Sequence, residues 1–331
     1  MIVGGWNNSR NQKHPFPRIA NMECIKKTLS DLPEKKPECV SGSWKKIRPY
    51  LINKLPLRIG AVTDCFQRYM EEKTHSGLKL LRILNETKYP AQIVTKSDII
   101  AEPDYIEAMK DNKDNLLLQL SITSPSDKIS CQIESGAPPT SYRLDALSKL
   151  VKEGFFTAVR INPLFPIFPD KTLAKLADET NLRGVSLIKK ARESKVKTLP
   201  IFDFKLISDI LSVFKKAPPE TKGKHTIIAG FVRLPFVCVK WVSEAIGWQP
   251  KELKEFFHLK QGNCYYFSSE EIRHYYEAIS ELCKKADIAF SICYDSDQNY
   301  NAFKDLWVNP RDCCNAVGVV KGFKKVFVDC C

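Results

Sequence analysis

The sequence has no apolar run approaching the roughly 18 residues that a membrane-spanning helix needs; one of the best, Ile227-Ile228-Ala229-Gly230-Phe231-Val232, stops at Arg233. No membrane span is expected, and a soluble protein is. Met1 to Trp6 turns polar at Asn7 without an extended apolar segment or a cleavage site, so no secretory signal is read and the expected location is cytoplasmic. The five histidines form no H-x-x-x-H pair, which leaves a zinc hydrolase without a ligand set. Neither G-x-x-x-x-G-K-[ST] nor G-x-S-x-G occurs, which excludes P-loop nucleotide hydrolysis and acyl transfer from a nucleophile elbow. With 14 Gly and 20 Pro in 331 residues, collagen-like and low-complexity readings also fall away.

What is present is the composition of a packed globular chain, 44% apolar and 27% charged. The length suits two domains or one barrel-type domain. Fifty-one Lys and Arg stand against 38 Asp and Glu, a formal charge of +13. The lysines come in short clusters such as Lys45-Lys46, Lys189-Lys190 and Lys215-Lys216. Such clusters suit an ordinary solvated surface, and equally a basic face that meets nucleic-acid phosphates. Twelve cysteines in a reducing compartment read as buried thiols, metal ligands or catalytic groups rather than as a disulfide framework.

Residues 1–54 form a lead-in with no sustained period and one short helix over Glu23 to Leu32. From residue 55 to 293 short apolar strands alternate with amphipathic segments long enough to be crossover helices. Strands are expected at Leu57–Val62, Ala91–Thr95, Leu116–Ile122, Phe156–Ile161, Gly184–Leu187, Thr226–Val232 and Asp287–Cys293, with helices around Leu78–Leu84, Tyr105–Met109 and Tyr142–Lys152. The count points to an α/β fold, a partial β/α (TIM-like) barrel of about six parallel strands, followed by a cysteine-containing extension over 294–331. Tyr265, Tyr266, Phe267, Tyr275 and Tyr276 read as a helix core and its flanking loop rather than as a base-stacking platform.

Parallel barrels place their ligand site at the C-terminal ends of the strands. Those ends are polar here: Thr63-Asp64-Cys65, Thr95-Lys96-Ser97-Asp98, Ser121-Ile122-Thr123 and Arg160-Ile161-Asn162-Pro163. Lys96 and Arg160 match a carboxylate by charge, while the hydroxyls suit a sugar. Each residue taken singly also suits the N-cap of a following helix.

These segments, with Glu134-Ser135-Gly136-Ala137-Pro138-Pro139 and Arg143-Leu144, occur in an order and at a spacing that resembles the radical S-adenosylmethionine superfamily. The resemblance is to its spore photoproduct lyase-like branch, also called DNA repair photolyase-like, and it is best over Leu55 to Asp170. It implies a partial β/α barrel that holds a [4Fe–4S] cluster and S-adenosylmethionine, whose reductive cleavage yields a 5′-deoxyadenosyl radical, the hard chemistry being the cofactors' own. It further implies an electron donor such as flavodoxin or ferredoxin, and DNA or another macromolecule as substrate. Carried over by position, Lys96 would meet the cofactor carboxylate and Thr63 and Ser121 would lie beside its ribose or amino-acid portion. Asp64, Arg160 and Asn162 would share that pocket, while Glu134 and Gly136 would shape a loop.

The chain departs from that pattern in two respects. The family's C-x3-C-x2-C cluster motif is absent, since only Cys24 and Cys39 precede Leu57; an N-terminally truncated form of a longer protein is the expectation. The hydrogen-donating cysteine of spore photoproduct lyase would stand near Ala61-Val62, before Cys65. Near the C-terminus Cys293, Cys313 and Cys314, with Cys330 and Cys331 beyond, invite an auxiliary iron–sulfur or zinc site, although no spacing is C-x2-C and buried or surface thiols remain the alternative. The competing function is a cluster-less β/α-barrel protein that binds nucleic acid or another acidic partner.

Overall fold

A computed structural model describes residues 20–60, 63–165, 204–293 and 301–308, together with 179–181, 190, 312, 314–316, 320 and 323. The expected strand at Gly184–Leu187 and Cys313 lie outside the described residues. The described residues open with two helices, α1 (Met22–Glu34), which contains the short helix expected over Glu23 to Leu32, and α2 (Ser43–Ile52). The alternating part follows as β1 (Leu57–Ile59), α3 (Arg68–Thr74), α4 (Ser76–Thr87), β2 (Ala91–Thr95), α5 (Pro103–Met109), β3 (Leu116–Ser121), α6 (Asp127–Ile133), α7 (Thr140–Lys152), β4 (Phe156–Leu164), α8 (Lys205–Phe214) and β5 (Thr226–Phe231). Then come β6 (Leu234–Pro235), α9 (Val239–Ile246), α10 (Pro250–Phe256), β7 (Leu259–Gln261), β8 (Cys264–Tyr266), α11 (Ser269–Lys285) and β9 (Ala289–Ile292).

Six strands make one parallel sheet in the order β1-β2-β3-β4-β5-β9. The order follows the chain except where β6, β7 and β8 leave to form a small antiparallel sheet before β9 returns. That excursion is absent from the sequence reading, because strands of two or three residues have no measurable alternation. Within the main sheet β3 and β5 are buried throughout, the pattern of parallel strands covered on both faces. On β2 Ala91, Ile93 and Thr95 are buried while Gln92 and Val94 are half-buried, so the two faces differ.

The register identifies the more polar face. Gln92 is level with Leu117, Gln119 with Ala158, Ser121 with Arg160, and Arg160 with Ile228 and Ser291 across β5 and β9. Side chains level in adjacent parallel strands share a face, so Gln92, Gln119, Ser121, Arg160, Ser291 and Thr226 point the same way. Residues 314 and 315 come back onto this face: Gln92 Nε2 donates to Cys314 Sγ at 3.2 Å and Asn315 Nδ2 to Thr226 Oγ1 at 3.2 Å. The other face carries Ile93, Leu118, Leu120, Val159 and Ile227, all buried, and α7 packs on β4 while α11 packs on β5 and β9.

Two glycines fix the strand ends. Gly60 has φ +83°, and a Cβ there would lie 1.9 Å from the Val94 carbonyl oxygen, so only glycine lets the end of β1 close onto β2. Gly230 lies under the Asn162 amide, which a Cβ would meet at 2.7 Å.

Candidate cofactor site at the strand ends

The end of β1 is tied to the end of β2 by Asp64. Its carboxylate accepts from the Phe66 N–H at 3.0 Å, the Thr95 hydroxyl at 2.9 Å and the Lys96 N–H at 2.7 Å. Thr95 Oγ1 in turn accepts from the Ser97 N–H at 2.9 Å. Asp64 therefore acts as a brace between two turns, with three donors already on its oxygens. Thr63 beside it is exposed on the rim. Cys65 is turned inward, and burial, then the Asp64 charge, pushes its thiol up to about 12, which keeps it protonated at neutral pH.

Bracing the backbone of Lys96 leaves its side chain free to reach across the rim, where Nζ lies 2.8 Å from Glu134 Oε1. This is a charge contact, since Glu134 Oε1 has no aligned hydrogen bond among the described residues. The other oxygen, Oε2, accepts from Arg143 Nη1 at 2.5 Å. Arg143 is fully buried and also donates to the Pro138 carbonyl at 2.8 Å, the Ser121 carbonyl at 2.9 Å and the Ser130 hydroxyl at 3.1 Å. One guanidinium thus gathers the end of β3, helix α6 and the loop that opens α7. Burial opposes ionisation of Glu134, but Lys96 and Arg143 outweigh it and hold the carboxyl below the usual carboxylate range. Glu134, read from sequence as a loop-shaping residue, is the acidic centre of the rim. The signal was present in its spacing from Arg143, but only the fold brings Lys96 from another strand to the same carboxylate.

Arg160 lies deeper on the polar face. Its Nη1 donates to Gln119 Oε1 at 3.1 Å and its Nη2 to Cys293 Sγ at 2.8 Å, with Cys314 Sγ 3.9 Å from Nη1. Ser121 ends β3 level with Arg160, and Asn162 ends the regular part of β4 with its amide on Gly230. Two buried polar atoms on this face, Gln119 Nε2 and Ser291 Oγ, have no hydrogen-bond partner among the described residues. Orphan groups of that kind mark a place where water or a ligand is accommodated.

Of the cysteines expected to hold a metal, Cys293 and Cys314 are described, while Cys313, Cys330 and Cys331 lie outside the described residues. Cys293 and Cys314 both face the Arg160 guanidinium. No three His, Cys, Asp or Glu side chains among the described residues are grouped to hold a metal ion. Cys24 and Cys39 are exposed on the N-terminal helical segment.

No family model matches the chain. An uncharacterized protein, ORF301, of Acidianus two-tailed virus is 26% identical over 116 residues, 35% of this chain and 34% of the viral one, so the match spans about a third of that protein. Among solved structures, a spore photoproduct lyase variant with bound AdoMet and dinucleoside spore photoproduct superposes with a TM-score of 0.49 at 15% identity, covering 83% of this chain and 67% of the other. Spore photoproduct lyase complexed with dinucleoside spore photoproduct gives 0.45 at 15% identity over 73% of this chain and 62% of the other.

Proposed function

We propose that the rim formed by the ends of β1 to β4 binds S-adenosylmethionine, with the radical S-adenosylmethionine class of enzyme as the functional reading. The observation that carries it is the Lys96–Glu134 contact: an ammonium and a carboxylate held side by side at strand ends. The methionine end of S-adenosylmethionine is a zwitterion, and this pair offers each of its charges an opposite. Lys96 takes the cofactor carboxylate and Glu134 Oε1, which lacks an aligned donor among the described residues, takes its ammonium. Arg143 keeps Glu134 ionised and in place. Thr63 and Ser121 flank the same rim, and the orphan Gln119 Nε2 and Ser291 Oγ leave polar capacity beneath it. When bound, S-adenosylmethionine supplies a sulfonium whose reductive cleavage yields a carbon-centred radical. The [4Fe–4S] cluster for that cleavage finds no ligand set among the described residues, and its thiolates would have to come from elsewhere.

Calorimetric titration of the full chain with S-adenosylmethionine tests this reading. Lys96→Met is expected to weaken binding by about 1.5–3 kcal/mol, the scale of a charge-assisted hydrogen bond. Equal affinity in the two proteins, or no binding by either, overturns it. A second reading, a cluster-less barrel that binds nucleic acid, draws on a different observation: no acidic residue occurs between Val40 and Thr63, while Lys45, Lys46, Arg48, Lys54 and Arg58 do.

A further inference from the structure

Helix α2 packs on α1 but leaves most of its surface exposed. Of its ten residues only Leu51 is buried, while Trp44, Ile47, Tyr50 and Ile52 are between 36% and 58% exposed. Large apolar side chains are seldom gathered in the open without a partner. The helix is nevertheless tied to its neighbour. Arg48 Nε donates to the Leu32 carbonyl at 3.3 Å and Nη2 to the Pro33 carbonyl at 3.0 Å, and the same guanidinium reaches the Lys35 carbonyl, so α2 caps the C-terminal end of α1. Trp44, Ile47 and Tyr50 are spaced three apart, which makes them neighbours along one side of the helix. Lys45 and Lys46 flank them, and the acid-free stretch carries the same sign on to Lys54 and Arg58.

We infer that α2 is a docking platform for single-stranded nucleic acid, on which bases stack against Trp44 and Tyr50 while Lys45 and Lys46 meet phosphates. Charge decides the class of partner, because a segment with five basic and no acidic residues on a chain of +13 selects a polyanion. The rings decide between polyanions. Aromatic faces beside basic side chains match unpaired bases on a phosphate backbone, whereas a duplex has its faces already stacked. An anionic membrane suits the helix less well, since an interfacial helix needs a continuous apolar face and here Leu51 is turned into the protein. The inference deepens the second functional reading and is independent of S-adenosylmethionine, which is absent from its test.

The test is fluorescence anisotropy of a labelled twelve-nucleotide oligo-dT with the full chain at low salt. Binding is expected, with the double variant Trp44→Ala/Tyr50→Ala weaker by at least about fivefold per ring. Lys45→Ala/Lys46→Ala is expected to flatten the dependence of log affinity on log salt by about 1.4, two phosphate contacts at roughly 0.7 each. Lys215→Ala/Lys216→Ala, which removes two exposed lysines elsewhere, serves as the charge control and is expected to have the smaller effect. Both α2 variants change surface residues, and a thermal melt verifies that each is folded. Oligonucleotide binding that is absent, unchanged in the α2 variants or equally reduced in the control overturns the inference. So does tighter binding to the matching duplex, or capture by phosphatidylserine vesicles without capture of the oligonucleotide.

Discussion

Arg143 and Glu134 form a buried ion pair, Nη1 to Oε2 at 2.5 Å, that supports the rim from below. A buried pair is weak evidence of net stabilisation, because both charges are desolvated, but removal of one partner leaves the other uncompensated. Arg143→Met strands Glu134 on Lys96 alone and deprives the Ser121 and Pro138 carbonyls of their donor. The expected loss is about 3–5 kcal/mol in a urea denaturation at neutral pH. The difference between wild type and variant should shrink in acid. Glu134 has a depressed folded pKa, so its share of stability is present above the ordinary carboxylate value and is lost as pH falls through the folded value. A loss under about 1 kcal/mol at neutral pH would remove Arg143 from this role.

His225 sets a second pH dependence at the N-terminal end of β5. It is fully buried, stacks on Phe214 at 4.7 Å between centroids and has Nδ1 2.9 Å from the Thr157 hydroxyl. Desolvation lowers its pKa to about 4, against a smaller opposing effect of Thr157. Between pH 6.5 and 4 the unfolded chain therefore binds a proton that the folded chain refuses, and stability falls as pH drops through that window. The expected cost at pH 5 relative to neutral pH is about 2 kcal/mol. His225→Phe keeps the ring stack and should remove that part of the slope; denaturation midpoints that shift equally with pH in both proteins would contradict this.

Thiol reactivity should sort by environment. Burial pushes the thiols of Cys65 and Cys283 up to about 12, whereas Cys24, Cys39 and Cys131 are exposed. Iodoacetamide at neutral pH under native conditions is expected to label Cys24, Cys39 and Cys131 before Cys65 and Cys283, because the thiolate is the nucleophile. Peptide mapping by mass spectrometry reads the order, and Cys65 labelled as fast as Cys24 would place it in a solvent-filled pocket instead.

Much of the α/β sheet was legible in the chain. Ala91–Thr95, Leu116–Ser121 and Thr226–Phe231 are short apolar runs bounded by polar turns, and the amphipathic stretches after them are long enough to cross over, so a parallel sheet is the arrangement that buries both. The buried aromatics Tyr275 and Tyr276 fall on α11 as their spacing implied, whereas Tyr265 and Tyr266 lie in a strand too short to show a period. Local sequence also determined the polar strand ends, including Asp64 and Lys96.

What those ends do was decided by the tertiary structure. Asp64 is a brace because Gly60 lets β1 close on β2 and brings the Lys96 N–H to its carboxylate. Glu134 is an acidic centre because Arg143, one turn later at the start of α7, folds beneath it while Lys96 arrives from a different strand. Cys293 and Cys314, adjacent to nothing in sequence that would predict it, meet on the guanidinium of Arg160 from β4. The exposed face of α2 follows the same rule, since its composition is written in the chain but its exposure depends on which elements pack around it. Periodicity is a property of neighbours along the chain; the charge and burial of a site are set by groups far apart in it, and only the folded sheet brings them together.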